Sequence, residues 1–293
     1  MNTILTVVNI SAPVFALAAI GFAWVRMGYD YPLAFVTRIA MTLSVPCLIF
    51  VALMQTEVSP QALATLSAAS LAAYGAIGLV FWAVVKLLGL DMRTYLAPLI
   101  FGNTGNLGLP LALFAFGDAG IGFAVVVFAV MAILSFTVGI WLVSGGGSIL
   151  KVLKEPVVAA TILGAMFLWQ GWKTPVAVTN TLDLIGQMAI PLMLITLGVA
   201  VARLQIAAIG QAAILSLLKI ITCAAIGYGA ALGFGLGPIA AAVLIVQVST
   251  PVAVTSYLIA EKYGADAQPV AGLVVVSTLL SVLGLPLILA FVL

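Results

Sequence analysis

The chain has 293 residues, 65% of them hydrophobic and only 6% charged, against about 25% charged in an ordinary soluble domain. Mean hydropathy is +1.35, the net charge is only +2, and histidine is absent. Together these exclude a soluble globular enzyme, a disordered chain, a nucleic-acid binder and any histidine-dependent catalytic or metal site, and leave the bilayer as the solvent.

A membrane span needs about 20 apolar residues. Charge-free runs and turn signals predict ten helices, over about 3–26, 33–54, 60–87, 94–115, 120–143, 154–172, 178–201, 206–232, 238–260 and 268–292. Residues 1–25 lack a basic leader and run too long for a signal peptide, so they are read as a retained first span. The run from 220 to 260 is too long for one helix and divides at Gly233-Phe234-Gly235-Leu236-Gly237-Pro238. The longest polar connector begins at Ser144-Gly145-Gly146-Gly147-Ser148, at the middle of the chain. The two cysteines, Cys47 and Cys223, sit in apolar runs and read as packing residues.

Orientation follows from Lys and Arg. Arg26, Arg38, Lys86, Arg93, Lys151, Lys154, Arg203 and Lys262 flank connectors on one side, and only Lys173 lies on the other. That predicts a multi-pass protein of the cytoplasmic membrane with both termini extracytoplasmic.

The connector divides the spans five and five: residues 1–143, a cytoplasmic linker at 144–153, and residues 154–293. The halves repeat weakly. Pro13 and Gly21 correspond to Pro156 and Gly164, a shift of 143, and Pro46 to Pro191, a shift of 145. Ser135 and Ser281 match at a shift of 146. An odd number of spans per half inverts the second half. The expected fold is therefore an all-α integral membrane protein of ten helices in two inverted five-helix repeats, an architecture of secondary transporters.

Helix 4 contains Gly102-Asn103-Thr104-Gly105-Asn106-Leu107-Gly108-Leu109-Pro110. Three glycines, two asparagines and a proline weaken a helix ladder, and backbone freed in hydrocarbon must be buried or line a wet cavity. Close packing through small residues explains the glycines but not the asparagines. Helix 9 carries Gln247-Val248-Ser249-Thr250-Pro251, its counterpart at a shift of 145. Gly102, Gly105, Gly108, Pro110 and Pro251 are thus the expected breaks, crossing at mid-membrane. Asn103, Thr104, Asn106, Gln247, Ser249 and Thr250 are the expected substrate ligands. Helix N-termini at such breaks favour an anion, although Ser and Thr also bond to their own helix backbone.

This pattern resembles the auxin efflux carrier family. The resemblance rests on Gly102 through Leu111 and on Pro251 through Gly264, Ser277-Thr278-Leu279-Leu280-Ser281 and Leu285-Pro286-Leu287, with length and layout matching along the chain. It implies the fold shared with bile-acid and arsenite transporters and a carboxylate substrate, such as indole-acetate in plants or malate and malonate in bacteria. It further implies a site beside the two breaks, a transport domain moving against a scaffold, and a homodimer. The short central connector resembles bacterial members. Plant carriers have an acidic and a basic residue near helix 3; here Pro60 to Val85 carries no charge, so that part does not transfer.

Lys219 lies 16 residues from Arg203 and 14 from Gly233, hence near mid-bilayer, where a lysine costs about 2.5–3.5 kcal/mol. It is expected to bind the substrate carboxylate, to stand in for a coupling cation or to release a proton. The bland alternative is snorkelling or a bond to a carbonyl. Asp183, just inside helix 7, is a second candidate for coupling, or a charge satisfied by the helix dipole. Ser216-Leu217-Leu218-Lys219 matches a penicillin-recognising motif whose other parts are missing.

The expectation is a secondary active transporter for a small organic anion, working by alternating access, with no metal and no cofactor. Membrane lipid and a second copy are its expected partners. Proton coupling is the leading scheme; neutral carbonyls and hydroxyls also hold sodium, which stays open. The alternatives are a ten-span drug or metabolite exporter, which needs continuous helices 4 and 9, and, remotely, an intramembrane enzyme.

Overall fold

A computed structural model describes residues 3–55, 59–145, 156–204 and 209–293. Most of the expected linker therefore lies outside the described residues, with Lys151 and Lys154. The described chain is helical throughout and forms no strand; the one sheet-like feature is an isolated bridge between Gly102 and Val252.

In chain order, α1 covers Thr3–Arg26. A π-helical turn, Ala40–Ser44, joins α2 (Leu33–Ile39) to α3 (Val45–Gln55). Then follow α4 (Pro60–Leu87) and α5 (Met92–Ile100). A second π turn, Thr104–Gly108, leads into α6 (Leu109–Leu134), and a third, Ser135–Gly139, into α7 (Ile140–Ser144). The second half has α8 (Pro156–Gln170), α9 (Val176–Gln187), α10 (Ala189–Arg203), α11 (Ile209–Gly233), α12 (Pro238–Val248), α13 (Val254–Tyr263) and α14 (Ala267–Val292).

Composition makes these segments helices: in hydrocarbon the backbone must satisfy itself. The starts of α4, α5 and α14 carry polar side-chain caps. Ser59 accepts from the Ala62 amide at 3.3 Å, Asp91 from Thr94 at 2.9 Å and Asp266 from Gln268 at 3.2 Å. The expected boundary between helices 4 and 5 falls inside α6, at Gly117. There φ is 61° and ψ is −147°, a conformation that suits glycine.

Among the described residues, six segments are long and apolar enough to cross a membrane: Leu33–Gln55, Gln61–Leu87, Thr104–Ser144, Val176–Arg203, Ile209–Gly233 and Ala267–Val292. Thr104–Ser144 is 41 residues long and is bent at Gly117. Ala12–Arg26, Ala159–Gln170 and Pro238–Val248 are apolar but shorter. Breaks in the backbone, rather than polar composition, shorten the helices near 101 and 250.

The helices sort into two groups. The first holds α1–α3 and α8–α10, where α1 lies against α10 and α3 against α8 and α9. Glycine sets these approaches. A Cβ on Gly21 would strike the Ile195 carbonyl, and one on Gly198 the Ala18 carbonyl. Gly164 likewise sits on Phe50 and Leu53, and Gly186 on Leu48. The pairs Gly21–Ile195 and Gly164–Phe50 are related by the sequence shifts of 143 and 145. The second group holds α4–α7 and α11–α14, including every backbone break near 101 and 250.

Arginines tie one end of the molecule. Arg203 donates to the Tyr31 carbonyl at 2.8 Å. Arg93 donates to the carbonyls of Val143 at 2.9 Å and Tyr263 at 3.0 Å, at the ends of α7 and α13. The connector residue Tyr31 shares a 2.8 Å hydrogen bond with Thr196. Burial raises its phenol pKa, against smaller downward pulls from that bond and from Arg203, so the hydroxyl stays protonated at neutral pH.

Candidate functional site: two helix breaks facing one cavity

α5 stops at Ile100 because Phe101 turns extended, with φ −94° and ψ 118°. The Asn103 amide, which would have bonded back to Leu99 in a continuous helix, instead donates across the molecule to the Pro251 carbonyl at 2.7 Å. Gly102 pairs with Val252 beside it. A Cβ on Gly102 would overlap both the hydroxyl and the carbonyl oxygen of Thr250, so glycine is what lets the two breaks touch. The Val252 amide donates to Ser277 Oγ of α14 at 2.9 Å. Two interrupted helices are thus held face to face by backbone hydrogen bonds and one serine.

Each break opens a new helix start, at Thr104 and at Val254. The first amides of a helix have no intrahelical acceptor and carry the positive end of its dipole. Both starts face a cavity of about 60 Å³ lined by Gly102, Asn103, Gly105 and Asn106 from one break and Ala253, Val254 and Thr255 from the other. That volume holds a few waters or the carboxylate end of a small molecule. Phe128, Met131 and Met41 supply apolar walls. A second cavity of the same size shares Met41, Asn106, Val254 and Thr255. It runs between the two helix groups past Thr37, Met193 and Thr196, toward the arginine-tied end.

The polar residues divide sharply. Asn103 is 5% exposed, and its Nδ2 has no hydrogen-bond partner. The Thr104 hydroxyl is likewise buried and unpaired. Such orphans cost about 1–3 kcal/mol each and call for an explanation. Asn106 is half-buried and lines both cavities. Ser249 and Thr250 turn away: Ser249 donates to Ile245 O at 2.7 Å and Thr250 to Gln247 O at 2.7 Å, both within their own helix. Gln247 donates to the Ala124 carbonyl at 3.3 Å, its Oε1 is unpaired, and its amide packs where a Cβ on Gly108 would be. Of the expected ligands, then, Asn103 and Asn106 line the cavity; Thr104, Gln247, Ser249 and Thr250 do not.

Lys219 is 1% exposed and donates to the Leu99 carbonyl at 2.9 Å, the carbonyl freed by the break. It lines neither cavity. Asp183 is exposed, accepts from Gln187 at 2.8 Å on its own helix and is in neither lining. The expected break at Pro110 is displaced. The backbone leaves the helix at 101–103, and Pro110 is the second residue of α6, which continues from the π turn that restarts the helix at Thr104. Sequence reasoning missed Met41 and Phe128, which carry no polar signal. It quoted Ser277 only as part of a motif.

The fold and the paired breaks define a multi-pass membrane transport protein. The model of the family described as membrane transport protein, that of the auxin efflux carriers, matches residues 140–289, or 150 of the 293 residues. The chain belongs to the auxin efflux carrier family. It is also 28% identical over 195 residues to the uncharacterized transporter MJ1031 of Methanocaldococcus jannaschii. That match covers 63% of this chain and 63% of the relative's length.

Proposed function

We propose that the chain is a secondary carrier of small organic anions, of malonate or malate size, working by alternating access in the cytoplasmic membrane. The observation that carries this reading is the convergence of two helix N-termini on one cavity lined by Asn103 and Asn106. Two dipole ends beside asparagine side chains suit a carboxylate. An exporter with continuous helices 4 and 9 fits less well, since both are interrupted.

The same reading takes the chain as ten spans in two inverted halves crossing at the breaks. The shift-related pairs Gly21–Ile195 and Gly164–Phe50 support it. In the elevator form, the group containing the breaks slides against the glycine-packed group, through which two copies pair. The second cavity lies between the groups and leads toward the arginine-rich end, taken as cytoplasmic, so this conformation is inward-leaning. Asn103 and Asn106 hold the substrate, and the driving ion is a proton.

The test is uptake of radiolabelled malonate, malate and indole-acetate into proteoliposomes, with and without a pH gradient, for wild type and Asn103→Ala. Saturable uptake by wild type, lost in the variant, is expected. No uptake of any of these anions by correctly folded protein overturns the reading.

A further inference from the structure

Lys219 is the only charged side chain that is buried among the described residues. No ion pair to it forms there, and its recorded hydrogen bond goes to a backbone carbonyl. The place of that carbonyl matters. Because Phe101 is extended and the Asn103 amide is diverted to Pro251, Leu99 O has lost its helical donor. It sits at the C-terminus of α5, the negative end of a helix dipole, and Leu99 is fully buried. Exposed carbonyls at the C-terminal ends of broken helices are where coupled carriers bind a cation. Here a lysine of α11 fills that position.

The other broken helix is closed differently. At the end of α12, Ile245 O takes the Ser249 hydroxyl and Gln247 O takes the Thr250 hydroxyl, both neutral donors. Only the α5 end receives a lysine. It is also enclosed: Tyr74 of α4 lies against Phe101, with ring centroids 6.2 Å apart. The Tyr74 and Ser216 hydroxyls are buried there without partners.

We propose that Lys219 is a built-in cation of the transport site, so that anion binding needs no inorganic cation at the α5 end. It is a positioning residue: it fixes the break and supplies positive charge without touching the substrate. The proposal rests on the anion reading above. Four residues separate Leu99 from Asn103, a chain span of at most about 14 Å. A unit charge at roughly 12 Å, in the intermediate dielectric of a protein, changes the affinity for a monoanion about tenfold.

The experiment measures malonate uptake by wild type, Lys219→Arg and Lys219→Met in media containing sodium, potassium or only N-methylglucamine. Wild type is expected to show equal KM in all three. Lys219→Met is expected to raise KM about tenfold or more in N-methylglucamine and to recover partly with sodium or methylammonium, which fit the vacated site. Lys219→Arg keeps the charge and should stay within a few-fold of wild type. A residue that merely packs would show neither cation rescue nor a KM-specific loss. Wild-type uptake that requires sodium overturns the proposal even if Lys219→Met does not fold. A folded Lys219→Met with wild-type KM in N-methylglucamine also overturns it. Absence of anion uptake by wild type instead sinks the anion reading on which the proposal stands.

Discussion

Gly102→Ala tests the contact between the two breaks directly. Gly102 has ordinary negative-φ geometry, so a methyl group fails there only for want of space. The space is taken by the Thr250 hydroxyl and, more seriously, by the Thr250 carbonyl oxygen, which is backbone and cannot rotate away. The chain then either accepts the overlap, at about 1–3 kcal/mol, or separates the breaks. Separation strains the 2.7 Å Asn103–Pro251 bond. Its loss leaves a buried donor and acceptor unpaired, at about 1–3 kcal/mol each. The two routes meet near about 3 kcal/mol, a large share of the roughly 5–15 kcal/mol that holds a protein folded. At about 2–4 °C per kcal/mol, the thermal midpoint in detergent should fall by roughly 6–12 °C. Gly75→Ala is the control: nothing lies within 4 Å of its added Cβ, and helix propensity favours alanine. Gly102→Ala with the midpoint and uptake of the control would refute the close pairing of the breaks.

Ser277→Ala removes the acceptor of the Val252 amide and should lower the midpoint less than Gly102→Ala does, by the equivalent of about 1–3 kcal/mol; an unchanged midpoint would show that this amide finds another partner. Gly198→Ala drives a methyl group into the Ala18 carbonyl and should destabilise by about 1–3 kcal/mol through α1 and α10, in the group without the cavity lining of Gly102 and Asn103, which thermal unfolding with and without substrate will separate from site effects. Arg93→Gln loses charged bonds to the C-termini of α7 and α13, worth about 0.3–1 kcal/mol each. Faster amide exchange confined to those helix ends is the expected result.

The breaks were legible because they are a matter of backbone chemistry. Asn103 and its neighbouring glycines read as a weak helix, and Pro251 removes a ladder bond in any environment. The burial of Lys219 was legible from its place in the middle of a long apolar helix. What was not legible is where side chains point. Ser249 and Thr250 stand beside Pro251 as polar residues should at a site, yet each bonds to a carbonyl of its own helix. That choice is a rotamer decided by packing, with no trace in residue type. Pro110 misled for a related reason: a proline marks the neighbourhood of a break and not its position, and here α5 ends at Ile100 and the chain is helical again from Thr104. Met41 and Phe128 line the cavity as apolar surface, which a sequence of this composition cannot distinguish from lipid-facing surface.

The correspondence between the two breaks therefore extends to backbone and not to charge. Shifted by 145, Gly102 falls on Gln247 and Gly105 on Thr250, and Gly102 in fact packs on Thr250 while Gly108 packs on Gln247. Glycines on one strand of the contact receive the bulk of the other. The first half thus supplies open backbone and the unpaired Asn103 Nδ2, and the second half supplies side-chain volume and, through α11, the buried Lys219 side chain. A contact between identical halves could not combine these, because each glycine gap needs a larger residue opposite it. The difference in side-chain size between the two segments is what allows the breaks to approach closely enough to share a backbone hydrogen bond and still leave a cavity beside it.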